Sequence, residues 1–314
     1  MSSSLSELLA DNLGTCDKDS YYNAFLVLPE KCISNLFAEK FNIKDAIDLD
    51  KFHQAFRICT EGQGNELKSI NNVVSSALLP LLTFFRLFGE NSGFKLNLKH
   101  PDLGTIEFDQ CFFEVRNEVI KFPSCVDIAL YSSEKKVMLF LESKLSEYLR
   151  TSLNFEIKEG YRSLYSTEIF KTILGFGDIT FDGSKIKHKN GKEKEYFEGI
   201  KQSISHLIGL VQGPSLKRTG VYYPEGYFKA YKECYDNAET IYYSTIIFNP
   251  KKIGVSEEDV DYKKYDRYVK LYTKIIGKHG SEIVENIRNW PKLKVDQEKN
   301  INVLSTPLDY HSVF

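Results

Sequence analysis

The sequence lacks any run of eighteen consecutive apolar residues, the minimum that a membrane-spanning helix needs. Its most apolar stretch, residues 77–88, is shorter and is interrupted by Pro80, Thr83 and Arg86. The first residues, Met-Ser-Ser-Ser, lack the basic start and the apolar core of a secretory signal peptide. We therefore expect a cytoplasmic protein without a membrane partner.

Cysteines at metal-ligand spacing are also missing. No Cys-x-x-Cys motif and no cysteine–histidine pair at ligand spacing occurs. The six cysteines are Cys16, Cys32, Cys59, Cys111, Cys125 and Cys234. Their scatter argues against a zinc site and against a disulfide scaffold, so we expect reduced and mostly buried thiols.

Neither sign of charge dominates. The chain has 41 basic and 43 acidic residues, a formal net charge of −2, which excludes functions based on bulk positive charge such as coating DNA. A nucleic-acid enzyme with a locally basic cleft remains compatible with this balance. The 314 residues, 42 % of them hydrophobic, are enough for one large or two ordinary domains with a substantial core.

Apolar spacing changes along the chain and indicates an α/β fold. Spacings of three and four residues predict helices within 1–60, after the turn at 61–64 with a kink at Pro80, over 197–211, and over 260–287. Strand-forming runs predict strands over 105–115, 124–131, 136–142, 241–248 and 301–304. The order helix, three-strand antiparallel meander, helix, strand predicts a mixed sheet flanked by helices. Residues 145–195 are predicted to be an insertion, with a helix at 163–174 and hairpin turns at Asp182-Gly183 and Asn190-Gly191.

Three charged residues lie in two strands that are otherwise apolar on both faces. Asp127 lies in the second strand of the meander, and Glu142 and Lys144 end the third. A connection over 132–135 would pair Asp127 with Phe140 and place all three charges on one face, because side chains alternate along a strand. Two such carboxylates suit a hard divalent cation, and a neighbouring ammonium can orient water and balance phosphate charge.

Glu-x-Lys alone is a weak signal, because it also begins at Glu66, Glu134 and Glu156. Only the triplet at 142–144 ends an apolar strand and has an aspartate fifteen residues upstream. The structural alternative is a salt bridge between Asp127 and Lys144, with Glu142 solvated at the strand end.

This arrangement resembles the PD-(D/E)XK nuclease superfamily, which has the restriction-endonuclease-like fold. The family's acidic residue and (D/E)-x-K triplet match Asp127 and Glu142-Ser143-Lys144, although Pro123 is four residues away from Asp127 instead of adjacent. The chain also resembles a group of bacterial proteins regarded as restriction endonucleases. That likeness covers about residues 61–250 and rests on the segments 62–67, 75–78, 142–147 and 202–206.

The resemblance implies that Asp127 and Glu142 bind Mg²⁺, for which Mn²⁺ can substitute, with the carbonyl of Ser143 as a further ligand. Lys144 would assist the attacking water. Glu66 would complete the metal ligands, and its alternative role is a carboxylate favoured by a helix N-terminus.

Gln202 and His206 match an element that the superfamily places near its active site as Gln-x-x-x-Tyr, which makes Gln202 a candidate catalytic residue. Four residues apart, they share one face of a helix. Our helical projection places this face opposite the apolar stripe, so the alternative is two exposed polar residues.

Two further features are open to a nucleic-acid role. The basic stretch could reach a phosphate backbone or form a solvated hairpin tip, and comprises Lys185, Lys187, His188, Lys189, Lys192 and Lys194. The tyrosines could stack on bases or pack half-buried, and comprise Tyr222, Tyr223, Tyr227, Tyr231, Tyr235, Tyr242 and Tyr243.

The residues and the resemblance together predict a Mg²⁺-dependent nuclease acting on DNA, an endonuclease of restriction or defence type. We expect an N-terminal helical extension at 1–60, a nuclease core at 61–250, and a C-terminal helix and strand at 251–314 packed on the core. The alternatives are a catalytically silent nucleic-acid-binding or regulatory protein that retains the fold, and a scaffold protein with a fortuitous motif. A homodimer is compatible with each.

Overall fold

The structure, a computed structural model, describes residues 46–60, 78–89, 93–120, 123–144, 157–174, 179–182, 185–188, 198–216, 223–253, 262–293, 295 and 299–313. The strands are β1 (Leu96–His100), β2 (Gly104–Phe108), β3 (Gln110–Asn117), β4 (Ser124–Ser132), β5 (Val137–Lys144), β6 (Ile179–Asp182), β7 (Lys185–His188), β8 (Thr240–Ile247), β9 (Asn300–Val303) and β10 (Leu308–Asp309). The α-helices are α1 (Ala46–Thr60), α2 (Leu78–Phe84), α3 (Arg162–Tyr165), α4 (Glu168–Ile173), α5 (Glu198–Gln212), α6 (Glu225–Asn237), α7 (Tyr262–Tyr272) and α8 (Lys278–Arg288). Short 3-10 helices occupy Phe85–Leu87, Glu159–Tyr161, Pro250–Ile253 and Tyr310–Ser312, and a π-helical segment, Thr273–Gly277, joins α7 to α8.

Six strands form one mixed sheet in the order β10-β8-β5-β4-β3, with β9 also beside β8. The consecutive strands β3, β4 and β5 pair antiparallel, which confirms the predicted meander. Strand β8 runs parallel to β5, and β9 and β10 both run parallel to β8. Helices flank this sheet, so the predicted α/β class with a mixed sheet is confirmed.

The first predicted strand, 105–115, is divided into β2 and β3 at Asp109. Strand β2 pairs with β1 as a separate hairpin, whereas β3 joins the main sheet. The side chain of Asp109 accepts a hydrogen bond of 3.0 Å from the backbone N–H of Ser133. Asp109 thereby ties the bend between β2 and β3 to the turn between β4 and β5.

The β4–β5 turn sets a register two residues away from the predicted one. Tyr131 pairs with Met138 instead of Lys136, and Ser132 pairs with Val137. Strand β4 therefore extends to Ser132, and the turn uses residues 133–136, where Lys136 has a left-handed φ of 50°. Because side chains alternate with a period of two, this shift leaves every residue on its predicted face.

Helix α5 confirms the helix predicted over 197–211 and lies close to the ends of β3 and β4. It ends before Gly213, whose φ of 88° is the left-handed conformation of a C-terminal helix glycine, and Pro214 follows. A Cβ on Gly209 would lie 2.9 Å from that of Asn117 and 3.1 Å from that of Ser124. The absence of a side chain at Gly209 therefore sets how closely α5 approaches the sheet.

The tyrosine-rich region contains a helix, α6, that was not predicted. Tyr227, Tyr231 and Tyr235 are buried at a spacing of four residues, which places them on one helix face. Their hydroxyls each donate a hydrogen bond of 2.6 Å, to the carbonyl of Phe113, the side-chain oxygen of Asn117 and the carbonyl of Leu210 respectively. For these three tyrosines the packing interpretation is confirmed, and stacking on bases is wrong because their rings are buried.

The predicted N-terminal helices are described in part. Helix α1 forms the end of the extension at 1–60, whose residues 1–45 lie outside the described residues. Of the helix expected after 61–64, only α2 is described, and Pro80 lies within it. Glu66 also lies outside the described residues.

The insertion departs from its prediction at one point. Two short helices, α3 and α4, replace the single helix expected over 163–174, with a break at Ser166 and Thr167. Asp182 pairs with Lys185, so β6 and β7 form a hairpin where one was predicted, although Asp182 lies in β6 and Gly183 lies outside the described residues. The second expected turn, Asn190-Gly191, lies outside the described residues.

The C-terminal predictions are confirmed with small changes of boundary. The helix expected over 260–287 is the continuous series α7, π segment and α8, and the terminal strand is β9. Strand β10 is an additional short strand on the same edge of β8. Within the described ranges, no helix combines the length and apolar character that crossing a membrane requires.

Candidate active site

Strands β4 and β5 separate at the candidate site. Their ladder ends at the pair Ile128 and Leu141, although β4 starts at Ser124 and β5 continues to Lys144. Beyond this point β4 pairs only with β3, and β5 pairs only with β8. Asp127 and Glu142 are the first residues past the last pair. The sheet thus forks where the two predicted acidic residues lie.

Asp127 bridges this fork. Its Oδ2 accepts a hydrogen bond of 2.7 Å from the backbone N–H of Ser143 on the neighbouring strand. The Ser143 hydroxyl makes a hydrogen bond of 2.8 Å with the hydroxyl of Tyr310. Asp127 is half-buried, so it remains within reach of solvent. The carboxylate that was predicted from the sequence therefore lies beside the Glu142-Ser143-Lys144 triplet.

Glu142 is 2 % exposed and contacts a cationic group through one oxygen and an imidazole through the other. Lys144 Nζ donates a hydrogen bond of 2.7 Å to Oε1. The Nε2 atom of His206 lies 2.9 Å from Oε2. That second contact lacks hydrogen-bond alignment, so among the described residues both Oε2 and Nε2 are buried without an aligned partner. A buried, incompletely satisfied carboxylate oxygen is an observation that fits a cation ligand.

Lys144 is held between two side chains. Besides Glu142, its Nζ donates a hydrogen bond of 2.9 Å to Oε1 of Gln202 on α5. The structural alternative had Lys144 paired with Asp127 and Glu142 solvated. It is wrong, because Glu142 is buried and is the partner of Lys144 in the close ion pair.

Helix α5 brings Gln202 and His206 onto the site, and the exposed alternative for His206 is wrong. His206 is 3 % exposed, and its Nδ1 lies 2.6 Å from the Ser124 hydroxyl. A helix packed closely on a sheet buries more than its apolar stripe. On α5 the additional positions are Gln202 and His206, which contact polar side chains of β4 and β5. Gln202 is half-buried, with its side-chain carbonyl on Lys144.

A third carboxylate, Glu114, was not predicted. In the β3–β4 register, Phe113 pairs with Ile128 and Val115 with Val126, so Glu114 lies opposite Asp127. Glu114 is 9 % exposed, has a left-handed φ of 48°, and accepts a hydrogen bond of 3.1 Å from the Cys125 thiol. The signal in the sequence was the same as for Asp127, a charge within a run of apolar strand residues.

The pKa values of the two predicted carboxylates, Asp127 and Glu142, are shifted in opposite directions. Burial raises the pKa of Asp127 well above its usual range, and the negative charges of Glu142 and Glu114 raise it further. Burial opposes ionisation of Glu142 as well, but Lys144 and His206 outweigh it and lower the pKa of Glu142 to about 2. Glu142 is therefore ionised at neutral pH, whereas burial and the neighbouring carboxylates disfavour ionisation of Asp127.

Fewer possible metal ligands come together in the described residues than the resemblance implied. Within the described ranges, no three His, Cys, Asp or Glu side chains converge on a metal-sized point. Glu66, the implied further ligand, lies outside those ranges. Among the residues that the structure describes, Asp127 and Glu142 are the predicted side chains that could hold a cation.

The fold and the site together define an α/β protein with a buried acid–lysine cluster at a fork in its sheet. Comparison with protein-family models, with curated proteins and with solved structures gives no match in any of the three.

Proposed function

We propose that this protein is a Mg²⁺-dependent nuclease of restriction-endonuclease-like fold, which hydrolyses phosphodiester bonds in DNA as an endonuclease of restriction or defence type. One observation carries the proposal. Asp127 and Glu142 lie at the fork between β4 and β5, and Lys144 is bonded to Glu142. Acidic side chains for a hard cation and an ammonium for phosphate charge are the groups that this chemistry needs.

Asp127 and Glu142 would hold the cation, which when bound would stabilise the negative charge that develops on the phosphate oxygens. Lys144 adds a second positive charge that is already oriented by Glu142 and Gln202. An oriented charge needs no reorganisation during the reaction, which is why such groups lower the barrier. Gln202 thus acts on the reaction through the position of Lys144.

His206 supports the same carboxylate from the other side. Its Nδ1 contact with Ser124 fixes the ring, and its Nε2 contact limits the rotation of the Glu142 carboxylate. Ser124 and His206 would therefore orient Glu142 toward the cation, as residues behind a metal ligand commonly do.

A catalytically silent nucleic-acid-binding protein is the second candidate, and one observation favours it. Both oxygens of Glu142 already face a partner, Lys144 or His206, which is also the arrangement of a closed structural ion-pair network. A cytoplasmic location belongs to either proposal, and the free thiols of Cys59, Cys111, Cys125 and Cys234 are compatible with it.

The proposal is tested by titrating the purified protein with Mn²⁺, followed by electron paramagnetic resonance, and by incubating it with supercoiled plasmid DNA in Mg²⁺. We expect one bound Mn²⁺, loss of its binding in Asp127→Asn, and conversion of plasmid to nicked and linear forms. DNA binding without Mn²⁺ binding or cleavage would favour the silent protein. If the protein neither binds Mn²⁺, nor cleaves DNA, nor binds DNA, both candidates are contradicted.

A further inference from the structure

Arg116 on β3 is a buried guanidinium that has no ion-pair partner among the residues that the structure describes. Only 2 % of the residue is exposed. Among the described residues, its Nε and Nη1 have no hydrogen-bond partner, and no carboxylate lies within ion-pair distance. Burial of an unpaired cation is costly, and proteins normally meet that cost with a bound anion or a carboxylate.

Tyr223 fixes the orientation of this guanidinium. The central carbon of the guanidinium lies 4.7 Å from the centre of the Tyr223 ring, in a cation–π contact. Stacking occupies the face of the guanidinium and leaves the N–H donors at its edge. These donors lie in one plane, and their geometry matches two oxygens of a phosphate group.

Arg116 lies next to the carboxylate cluster. It pairs with Cys125 across the β3–β4 ladder, and Cys125 is two residues from Asp127 on the same strand face. Two strand residues span about 7 Å, so the Arg116–Cys125 pair lies two residues beyond Asp127 along the sheet. Arg116 itself is buried, but its pair partner Cys125 and the nearby Asp127 are both partly exposed, so solvent reaches the strand beside it.

We propose that Arg116, stacked on Tyr223, is a binding site for a phosphate group beside the carboxylate pair of Asp127 and Glu142. The donors of Arg116 bind the phosphate oxygens. The phosphate can belong to a nucleic-acid backbone or be free inorganic phosphate. Only the first source rests on the proposed nuclease function.

The test is thermal unfolding in buffer without divalent cations, with increasing inorganic phosphate. The unfolding temperature of the wild-type protein should rise saturably by about 2 °C or more. Arg116→Met should start higher than wild type, because it removes an unpaired buried charge, and should not respond to phosphate. Arg86→Met is the matched control, since Arg86 is exposed and also stacks on an aromatic ring, that of Phe94.

Further arms identify the source of the phosphate and protect against a variant that fails to fold. Arg116→Lys keeps the charge but loses the planar set of N–H donors, and should bind phosphate at least about tenfold more weakly. A short DNA oligonucleotide that competes with phosphate supports the nucleic-acid source, and one that does not compete supports a small-anion site. A destabilised Arg116→Met with an unchanged phosphate response would overturn the proposal. No arm uses cleavage, so a failure of the nuclease proposal is measured separately.

Discussion

The ammonium of Lys144 lies 2.7 Å from the carboxylate of Glu142, two residues earlier on the same strand. Side chains two residues apart in a strand share one face, which is why a Glu-x-Lys triplet at a strand end can place both charges together. Glu142 is buried and ionised because of this neighbour and His206. Asp127 has a raised pKa partly because of the same Glu142 charge.

Asp127→Asn should stabilise the protein while abolishing cation binding. The amide oxygen can still accept from Ser143, but the like charge beside Glu142 is gone. A raised pKa means that the folded wild type loses stability as pH rises above the usual aspartate value of about 4. The advantage of the variant should therefore be small in acid and should grow with pH, as measured by unfolding temperature without metal.

Glu142→Gln should destabilise the protein, which is the opposite of the effect expected for Asp127→Asn. Its pKa is lowered to about 2, so its contribution to stability is present above the usual glutamate pKa and is lost as pH falls toward 2. The variant should be less stable than wild type at neutral pH and should converge with it in acid. Equal pH profiles for both variants would contradict the assigned charge states.

Removal of the Ser124 hydroxyl tests the support behind Glu142. Ser124→Ala leaves the Nδ1 of His206 buried without its 2.6 Å partner, which should cost about 1–3 kcal/mol. Mn²⁺ affinity should fall in Ser124→Ala, and further in His206→Ala than in His206→Gln, which retains a donor. Denaturant unfolding and Mn²⁺ titration give the two readouts. Unchanged Mn²⁺ affinity in all three variants would show that these residues only stabilise the fold.

Gly209→Ala should be destabilising, by about 1–3 kcal/mol, because its Cβ would lie 2.9 Å from the Cβ of Asn117. The control is Gly226→Ala in α6, where nothing lies within 4 Å of the new Cβ. There, alanine should stabilise the helix by about 0.5–1 kcal/mol. Chemical denaturation of both variants checks the pair. A stabilising Gly209→Ala would mean that α5 does not need this close approach.

The basic stretch over 185–194, of which the structure describes 185–188, remains the predicted DNA contact of the nuclease proposal. Changing Lys185, Lys187, Lys189, Lys192 and Lys194 to serine should weaken DNA binding and reduce its salt dependence, by about 0.9 in log–log slope for each lost contact. Changing the exposed Lys263, Lys270 and Lys274 on α7 and the adjoining π segment is the control. A wild-type salt slope in the variant of the basic stretch, with a reduced slope in the control, would place the DNA on α7 and the π segment.

Most of the sheet could be predicted, because its strands are apolar runs bounded by turn residues. Its register could not, since the length of β4 depends on the conformation of Lys136, which composition does not encode. Helix α6 was missed because most of its buried residues are tyrosines. Their spacing of four, at 227, 231 and 235, was the available signal.

Asp127, Glu142 and Lys144 could be found because each is a charge in an apolar strand. Glu114 satisfies the same rule but has no family motif to mark it. The burial of His206 could not be predicted from α5 alone. It follows from the close approach at Gly209, which depends on the residues that face it on β3 and β4.

The cleavage rate of plasmid DNA by Lys144→Ala in Mg²⁺ tests the central claim most directly. Lys136→Ala is the matched control, because Lys136 also ends a Glu-x-Lys triplet but is exposed in the β4–β5 turn. We expect Lys144→Ala to lose activity by about 10²-fold or more while it stays folded, and Lys136→Ala to cleave like wild type. Equal activity of Lys144→Ala and wild type would contradict the assignment of Lys144 and its carboxylate partners as the catalytic site.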